Sequence, residues 1–344
     1  MKRTLLVVHP GAIGDVLVAR QALRALRAAY PDHALGLLAR RDVGALLRAC
    51  REVHELFPLE ARALTGLLAG PEALPPALGR WLRICDVAVC WMDDPGGLQA
   101  TLAICGVAHT VVRSVSDRVD RTHRADQLLQ TLKGIAQLDT GEARLELSDS
   151  IKEEGRAMLR AQELADQKFV MLHPGSGSPH KCVAPGVLAT VVDGLHARGI
   201  SVAMVIGPAD EVLARDVLDR CTAKPHVVEG HDLSQTAGIL THAAMFVGHD
   251  SGLTHLAAAL AVPTIALFGP TDAVRWTPRG AQITVLSGLS CRCDGWQAVK
   301  NCMEKPCLFI TPERILSACD RVLARNSSAL SSAHQALPLP CSPA

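Results

Sequence analysis

Short apolar runs that end in a Gly- or Pro-bearing turn, and then give way to helix-period segments, follow one another twice along this chain. In the first half the runs are Thr4–Val8, Ala34–Ala39, Val87–Trp91 and Thr110–Val112. In the second they are Lys168–Leu172, Ser201–Ile206, Val227–Val228, Ala243–Val247 and Thr264–Phe268. A strand that is apolar throughout has both faces covered, and this is the signature of a parallel sheet flanked by helices. The expected fold class is therefore α/β, with two Rossmann-like, doubly wound domains. Boundaries are expected at residues 1–160 and 161–325. Val16–Tyr30, His123–Leu138 and Pro312–Arg325 carry helical spacing, the last with Thr311 as N-cap and Pro312 in the first turn. The Ser-, Ala- and Pro-rich tail 326–344 is expected to be disordered.

Composition narrows the function. Aromatic residues are only 3% of the chain, so the cores must be Leu, Val and Ala. With 35 basic against 34 acidic side chains, the basic excess of a nucleic-acid binder is missing. Leu5–Val8 is too short for the core of a signal peptide, and no run approaches a membrane span. The expectation is a soluble cytoplasmic protein whose 12 cysteines are mostly thiols.

In doubly wound sheets ligands bind at the carboxyl ends of strands, where these turns fall. Three stretches there carry chemistry. In Val247–Ala259 a strand meets a helix through Asp250-Ser251-Gly252, so free N–H groups at the helix start face a ligand. Asp250 and His255 flank that start. A helix cap alone accounts equally well for Asp250 or Ser251. In Gly11-Ala12-Ile13-Gly14-Asp15 the glycine spacing is not the dinucleotide fingerprint. Asp15 fits either a stabilised helix start or a general base that takes a proton from an acceptor hydroxyl. In His173–Lys181, Gly175, Ser176 and Gly177 let backbone approach an anion, and Lys181 either neutralises it or is a solvated lysine. Asp93-Asp94 before Pro95-Gly96 reads as a turn. Cys291, Cys293, Cys302 and Cys307 are spaced C-x-C-x8-C-x4-C, which suits free thiols in a packed loop or a structural zinc.

Together these stretches resemble glycosyltransferase family 9, the ADP-heptose:lipopolysaccharide heptosyltransferases. The matching pieces are Pro10–Val16, His173–Ser176 with Lys181, Asp250–Ala259, Val262–Asp272 with Trp276 and Pro278, and Cys307-Leu308 with Thr311-Pro312-Glu313. The resemblance implies a GT-B fold, with an acceptor-binding first domain and a nucleotide-sugar-binding second domain. The last helix would return to pack on the first domain. It implies inverting transfer of a heptose from an ADP-activated donor to a saccharide or lipid-linked saccharide, at the inner face of the inner membrane in the latter case. Asp15 matches the family's base and Lys181 its phosphate-contacting lysine. Gly175, Ser176, Asp250, Ser251, Gly252, Leu253 and His255 match its donor-binding residues. A nucleotide-sugar epimerase or hydrolase, or a non-catalytic nucleotide-sugar binder, fits the same two-domain plan.

Overall fold

The computed structural model describes residues 3–94, 96–114, 121–138, 141 and 144–335. The first unit runs β1 (Thr4–Val8), α1 (Ile13–Val18), α2 (Arg20–Ala29), β2 (Ala34–Ala39), α3 (Arg41–Ala49), β3 (Glu55–Pro58), α4 (Ala63–Ala69), α5 (Pro76–Leu82), β4 (Cys85–Cys90), α6 (Leu98–Ile104), β5 (His109–Val112) and α7 (Arg124–Gln130). After α8 (Asp149–Ala161) come β6 (Phe169–His173), α9 (Pro185–His196), β7 (Ser201–Val205), α10 (Glu211–Arg220), β8 (His226–Val228), α11 (Leu233–Leu240), β9 (Met245–His249) and α12 (Gly252–Ala259). The chain then forms β10 (Thr264–Phe268), α13 (Ala273–Trp276), β11 (Ile283–Ser287), α14 (Gly295–Asn301) and α15 (Pro312–Gln335).

Two parallel sheets result, ordered β3-β2-β1-β4-β5 and β11-β10-β9-β6-β7-β8. In both, chain order reverses at the first strand of the unit, between β1 and β4 and between β6 and β9. Such a reversal opens a crevice at the strands' carboxyl ends. Each sheet is buried on both faces. Leu5 and Val7 face one apolar core while Leu6 and Val8 face another, and Phe169 and Met171 alternate with Val170 and Leu172 in the same way. The core containing Leu5 and Val7 also holds Phe169, Met171 and Phe246, so it runs without interruption from one sheet to the other.

Polar contacts reinforce that junction. Arg279 bonds Gln21, and its second nitrogen reaches Asp126 at 2.5 Å. His123 meets the Thr277 carbonyl at 2.8 Å, and the Arg124 guanidinium lies 5.5 Å from the Trp276 ring centre. On the second unit's flank, α8 crosses α11 where Gly155 meets Gly238. A Cβ on Gly238 would stand 2.4 Å from the Ile151 carbonyl, so only glycine permits this approach.

Four expectations need correction. Two helices cover the segment Val16–Tyr30: α1 ends at Val18 and α2 begins at Arg20, with Ala19 between them still in the right-handed helical region. At the start of α2 the Arg20 guanidinium lies inward, 2.7 Å from Glu52. Instead of running from His123 to Leu138, α7 ends at Gln130, where Thr131 bonds the Leu128 carbonyl. Over the residues whose side chains are described, the last helix packs on the second unit. Ile315, Leu316, Cys319 and Leu323 join the second sheet's outer core, Leu316 fills the space over Gly194 of α9, and Arg198 pairs with Asp320 at 3.0 Å. Finally, α15 continues to Gln335, because Asn326–Gln335 contains neither Gly nor Pro to stop it. The remainder of the tail, 336–344, lies outside the described residues.

Candidate active site

The two crevices meet through the starts of two helices. The strand β1 ends in His9-Pro10-Gly11, and α1 begins two residues later. At the other sheet, β9 ends at His249 and α12 begins at Gly252. These starts touch. A Cβ on Gly14 would stand 3.2 Å from His255 Cδ2 and 3.5 Å from Gly252 Cα, and one on Gly252 would stand 2.8 Å from Ile13 Cβ. Both helices direct free N–H groups and the positive ends of their dipoles into the same space.

On the first side, the Asp15 carboxylate accepts the Ala12 N–H at 2.9 Å. The cap expected of a helix-start aspartate is thus present, through one carboxylate oxygen. Asp15 is half-buried, and a Cβ on Gly11 would collide with its side chain, so glycine there leaves the carboxylate room. Buried His9 accepts the Gly11 N–H through Nδ1 at 3.2 Å and meets Trp91 edge-on.

On the second side, Lys181 Nζ lies 2.7 Å from Asp250 Oδ2, and His255 Nε2 lies 4.0 Å from Asp250 Oδ1. Ser176 donates to the Asp250 carbonyl at 2.6 Å. Ser251, not Asp250, is the N-cap of α12, its hydroxyl accepting the Thr254 N–H at 3.4 Å. Burial, above all else, holds the His255 pKa below the usual histidine range, while the carboxylates of Asp250 and Asp15 pull it the other way. Asp15 is thus close enough to act on His255, which belongs to the other sheet's helix. The structure brings Asp15, Ser176, Lys181, Asp250, Ser251, Gly252 and His255 together. Leu253 packs its side chain against the apolar core, and the Gly175 carbonyl meets the buried His249 ring.

Beneath these residues lies a buried polar layer that the motifs alone did not reveal. His173 Nε2 contacts Asp210 Oδ2 at 2.9 Å, and its Nδ1 lies 3.3 Å from the Ser251 hydroxyl. Thr254 donates its hydroxyl proton to the His249 carbonyl. His249 Nε2 accepts the Val183 N–H at 3.0 Å, so Nδ1 carries the proton and donates to the Gly175 carbonyl at 3.3 Å. The available signals were His173 before Pro174-Gly175 and Asp210 just after Gly207-Pro208, each at a strand's carboxyl end.

Burial pushes both His249 and His9 down to about 4 from the ordinary 6.5. For His249 the neighbouring His173 adds to the effect, and for His9 the Arg124 charge does. Both rings are neutral in the folded chain at neutral pH. The unfolded chain binds their protons first as pH falls, so the stability they contribute is present above 6.5 and lost on the way down to about 4. The thermal midpoint should be nearly flat from about pH 8 to 7 and fall steeply below about pH 6, with proton uptake on unfolding near pH 5. Calorimetry in buffers of different ionisation enthalpy measures that uptake. A midpoint that stays flat down to about pH 4.5 would contradict the neutral buried pair.

Two sequence readings outside the cleft find their places. Asp94 accepts the N–H groups of Gly96, Gly97, Leu98 and Gln99, which makes it the cap of α6. Among the described residues, no three His, Cys, Asp or Glu side chains converge where a metal ion could sit. Cys291 and Cys302 lie near enough to raise the pKa of Cys293 and Cys307, with hydrogen bonding to Cys291 the foremost influence on Cys293 and burial on Cys307.

The model of glycosyltransferase family 9 (heptosyltransferase) matches residues 107–307, more than half of the chain, including the stretches 173–181 and 250–255. The chain belongs to glycosyltransferase family 9. It is a glycosyltransferase of the GT-B fold. Lipopolysaccharide heptosyltransferase 3 of Escherichia coli K12 is 25% identical over 288 residues, 77% of this chain and 82% of that one. A second Escherichia coli protein of that name is 33% identical over 116 residues, but this covers only 33% of this chain and 34% of that one. Among solved structures, Escherichia coli ADP-heptose lps heptosyltransferase II superposes with a TM-score of 0.74 at 21% identity, over 94% of this chain and 99% of that one. That likeness concerns the fold.

Proposed function

We propose that this family 9 enzyme is an inverting heptosyltransferase of lipopolysaccharide synthesis. It moves a heptose from ADP-heptose to a hydroxyl of a lipopolysaccharide-core saccharide. The observation that carries this reading is the meeting of α1 and α12, which sets Asp15 of one sheet against Lys181, Asp250 and His255 of the other. The names of the relatives, two lipopolysaccharide heptosyltransferases and one ADP-heptose lps heptosyltransferase, support the choice of sugar and nucleotide.

Each residue then has a task. Asp15 takes the proton of the acceptor hydroxyl as that oxygen attacks the anomeric carbon from the face opposite the leaving group. The ADP that departs gathers negative charge. The N–H groups at the start of α12 and the Lys181 ammonium meet that charge, and they stabilise it more in the transition state than in the ground state. Asp250, which now holds Lys181, orients the heptose hydroxyls. Neutral His255 adds a hydrogen bond without a competing charge. No helix among the described residues is long and apolar enough to cross a membrane. We place the enzyme in the cytoplasm, reaching a lipid-linked acceptor at the inner face of the inner membrane.

Calorimetric titration with ADP-heptose tests the donor side, with UDP-glucose and NAD as controls. The wild-type protein should bind ADP-heptose and neither control. Lys181→Ala should weaken binding about tenfold or more, the worth of a charge-assisted hydrogen bond. Equal affinity in the variant would remove Lys181 from the diphosphate site, and binding of UDP-glucose in place of ADP-heptose would overturn the donor assignment.

A further inference from the structure

We propose that Asp210 is a positioning residue of the donor site, acting through His173 on Ser251. This rests on the donor assignment above. Asp210 lies on the β7–α10 connection, away from the helix start that would face the diphosphate. Its side chain is nevertheless nearly buried, at 10% exposure, and the His173 ring it contacts is buried at 5%. A charged group this far from water stays there only with partners. The partner is His173, 2.9 Å away.

Two consequences follow from that position. First, an imidazole held at Nε2 by Asp210 cannot rotate, so Nδ1 stays aimed at the Ser251 hydroxyl, 3.3 Å distant. Ser251 is the N-cap of α12 and contacts Thr254, whose own hydroxyl is tied to the His249 carbonyl. The direction of the helix's first N–H groups is therefore set through a line of contacts that begins at Asp210. Second, Asp210 shapes the facing loop. A Cβ on Gly175 would stand 1.7 Å from Asp210 Oδ1, so the loop bearing Ser176 lies directly on the carboxylate. That loop is held from its other side by the His249 ring at the Gly175 carbonyl. Three strand-end loops, after β6, β7 and β9, are thereby fixed relative to one another by one carboxylate and two histidines.

This differs from a carboxylate that merely fills space. A space-filling residue would affect all substrates alike through a loosened fold. A positioning residue acts on the donor, and its effect depends on Ser251 being present to be positioned. The test is a double-mutant cycle read by calorimetric titration with ADP. Asp210→Ala and Asp210→Asn are each made in the wild-type and Ser251→Ala backgrounds. Asp210→Ala should weaken ADP binding about tenfold, and Asp210→Asn, which keeps size and an acceptor for His173, should recover most of that loss. In the Ser251→Ala background, Asp210→Ala should add less than about a threefold further loss. Steady-state kinetics should show the KM for the donor raised and that for the acceptor unchanged.

Wild-type affinity in Asp210→Ala would overturn the proposal, as would losses that multiply in the double variant or a parallel rise in both KM values. Should Asp210→Ala not fold, His173→Gln in the same two backgrounds gives the same reading, and independent effects of His173 and Ser251 would overturn it. If the wild-type protein itself binds no ADP, the donor assignment falls and this proposal falls with it. If the wild type binds ADP and the cycle is additive, only this proposal falls.

Discussion

Asp15→Asn is expected to lower the rate of heptose transfer about a thousandfold, within the range for loss of a general base, while leaving folding and donor affinity intact. The observed cap and the proposed base role of Asp15 make this variant more informative than alanine. Its carboxylate caps α1 by accepting the Ala12 N–H at 2.9 Å. An asparagine oxygen can accept that same bond, so the cap survives and only the base is lost. Asp15→Ala removes both, and should add a stability loss of about 1 kcal/mol, typical of a missing helix cap. Single-turnover transfer at saturating ADP-heptose, with titration and thermal melts beside it, separates these effects. Transfer by Asp15→Asn within about tenfold of wild type would show that the carboxylate is a cap and nothing more.

Gly252→Ala is expected to cost about a hundredfold in turnover, the scale of displacing reacting groups by about 1 Å. The added Cβ would stand 2.8 Å from Ile13 Cβ, 2.9 Å from Ile13 Cγ2 and 3.2 Å from the Gly14 nitrogen. One of these is backbone and the others sit close to it, so no flexible side chain can yield. The two helix starts must separate, and with them Asp15 from the donor turn. Overpacking of this kind should also reduce stability by about 1–3 kcal/mol. Gly186→Ala, where a Cβ meets nothing within 4 Å, is the control and should leave turnover unchanged. Wild-type turnover in Gly252→Ala would mean that the close contact between α1 and α12 does not set the catalytic geometry.

The parts of this molecule that were legible in the sequence are those fixed by neighbours in the chain. The apolar run Thr4–Val8 must be buried on both faces, and Pro10-Gly11 must end it, so β1 and the loop carrying Asp15 follow from local chemistry. The same holds for Ser251 and Gly252 at the start of α12. Edge strands β3 and β11 escaped because they are for the most part only partly buried and carry no full apolar run. The break at Ala19 escaped because helical spacing continues across it. Beside it Arg20 lies buried against Glu52, a partner 32 residues away. Likewise Asp210 and His173 are separated by 37 residues, and nothing in either one's surroundings announces the other. The position of α15 was also beyond local reading. An amphipathic helix states that it has an apolar face, not which sheet will receive it, and here the space over Gly194 accepts Leu316.

The central claim is acceptor-dependent, inverting transfer across the junction of the two sheets. It is tested most directly by incubating the purified protein with ADP-heptose, with and without a heptose-deficient lipopolysaccharide-core acceptor. ADP release is followed, and the anomeric configuration of the product is assigned by NMR. ADP release is expected only with the acceptor present, together with a product whose anomeric configuration is opposite to that of the donor. ADP release that does not need the acceptor would make the protein a hydrolase. A product that retains the donor's configuration would contradict the role given to Asp15.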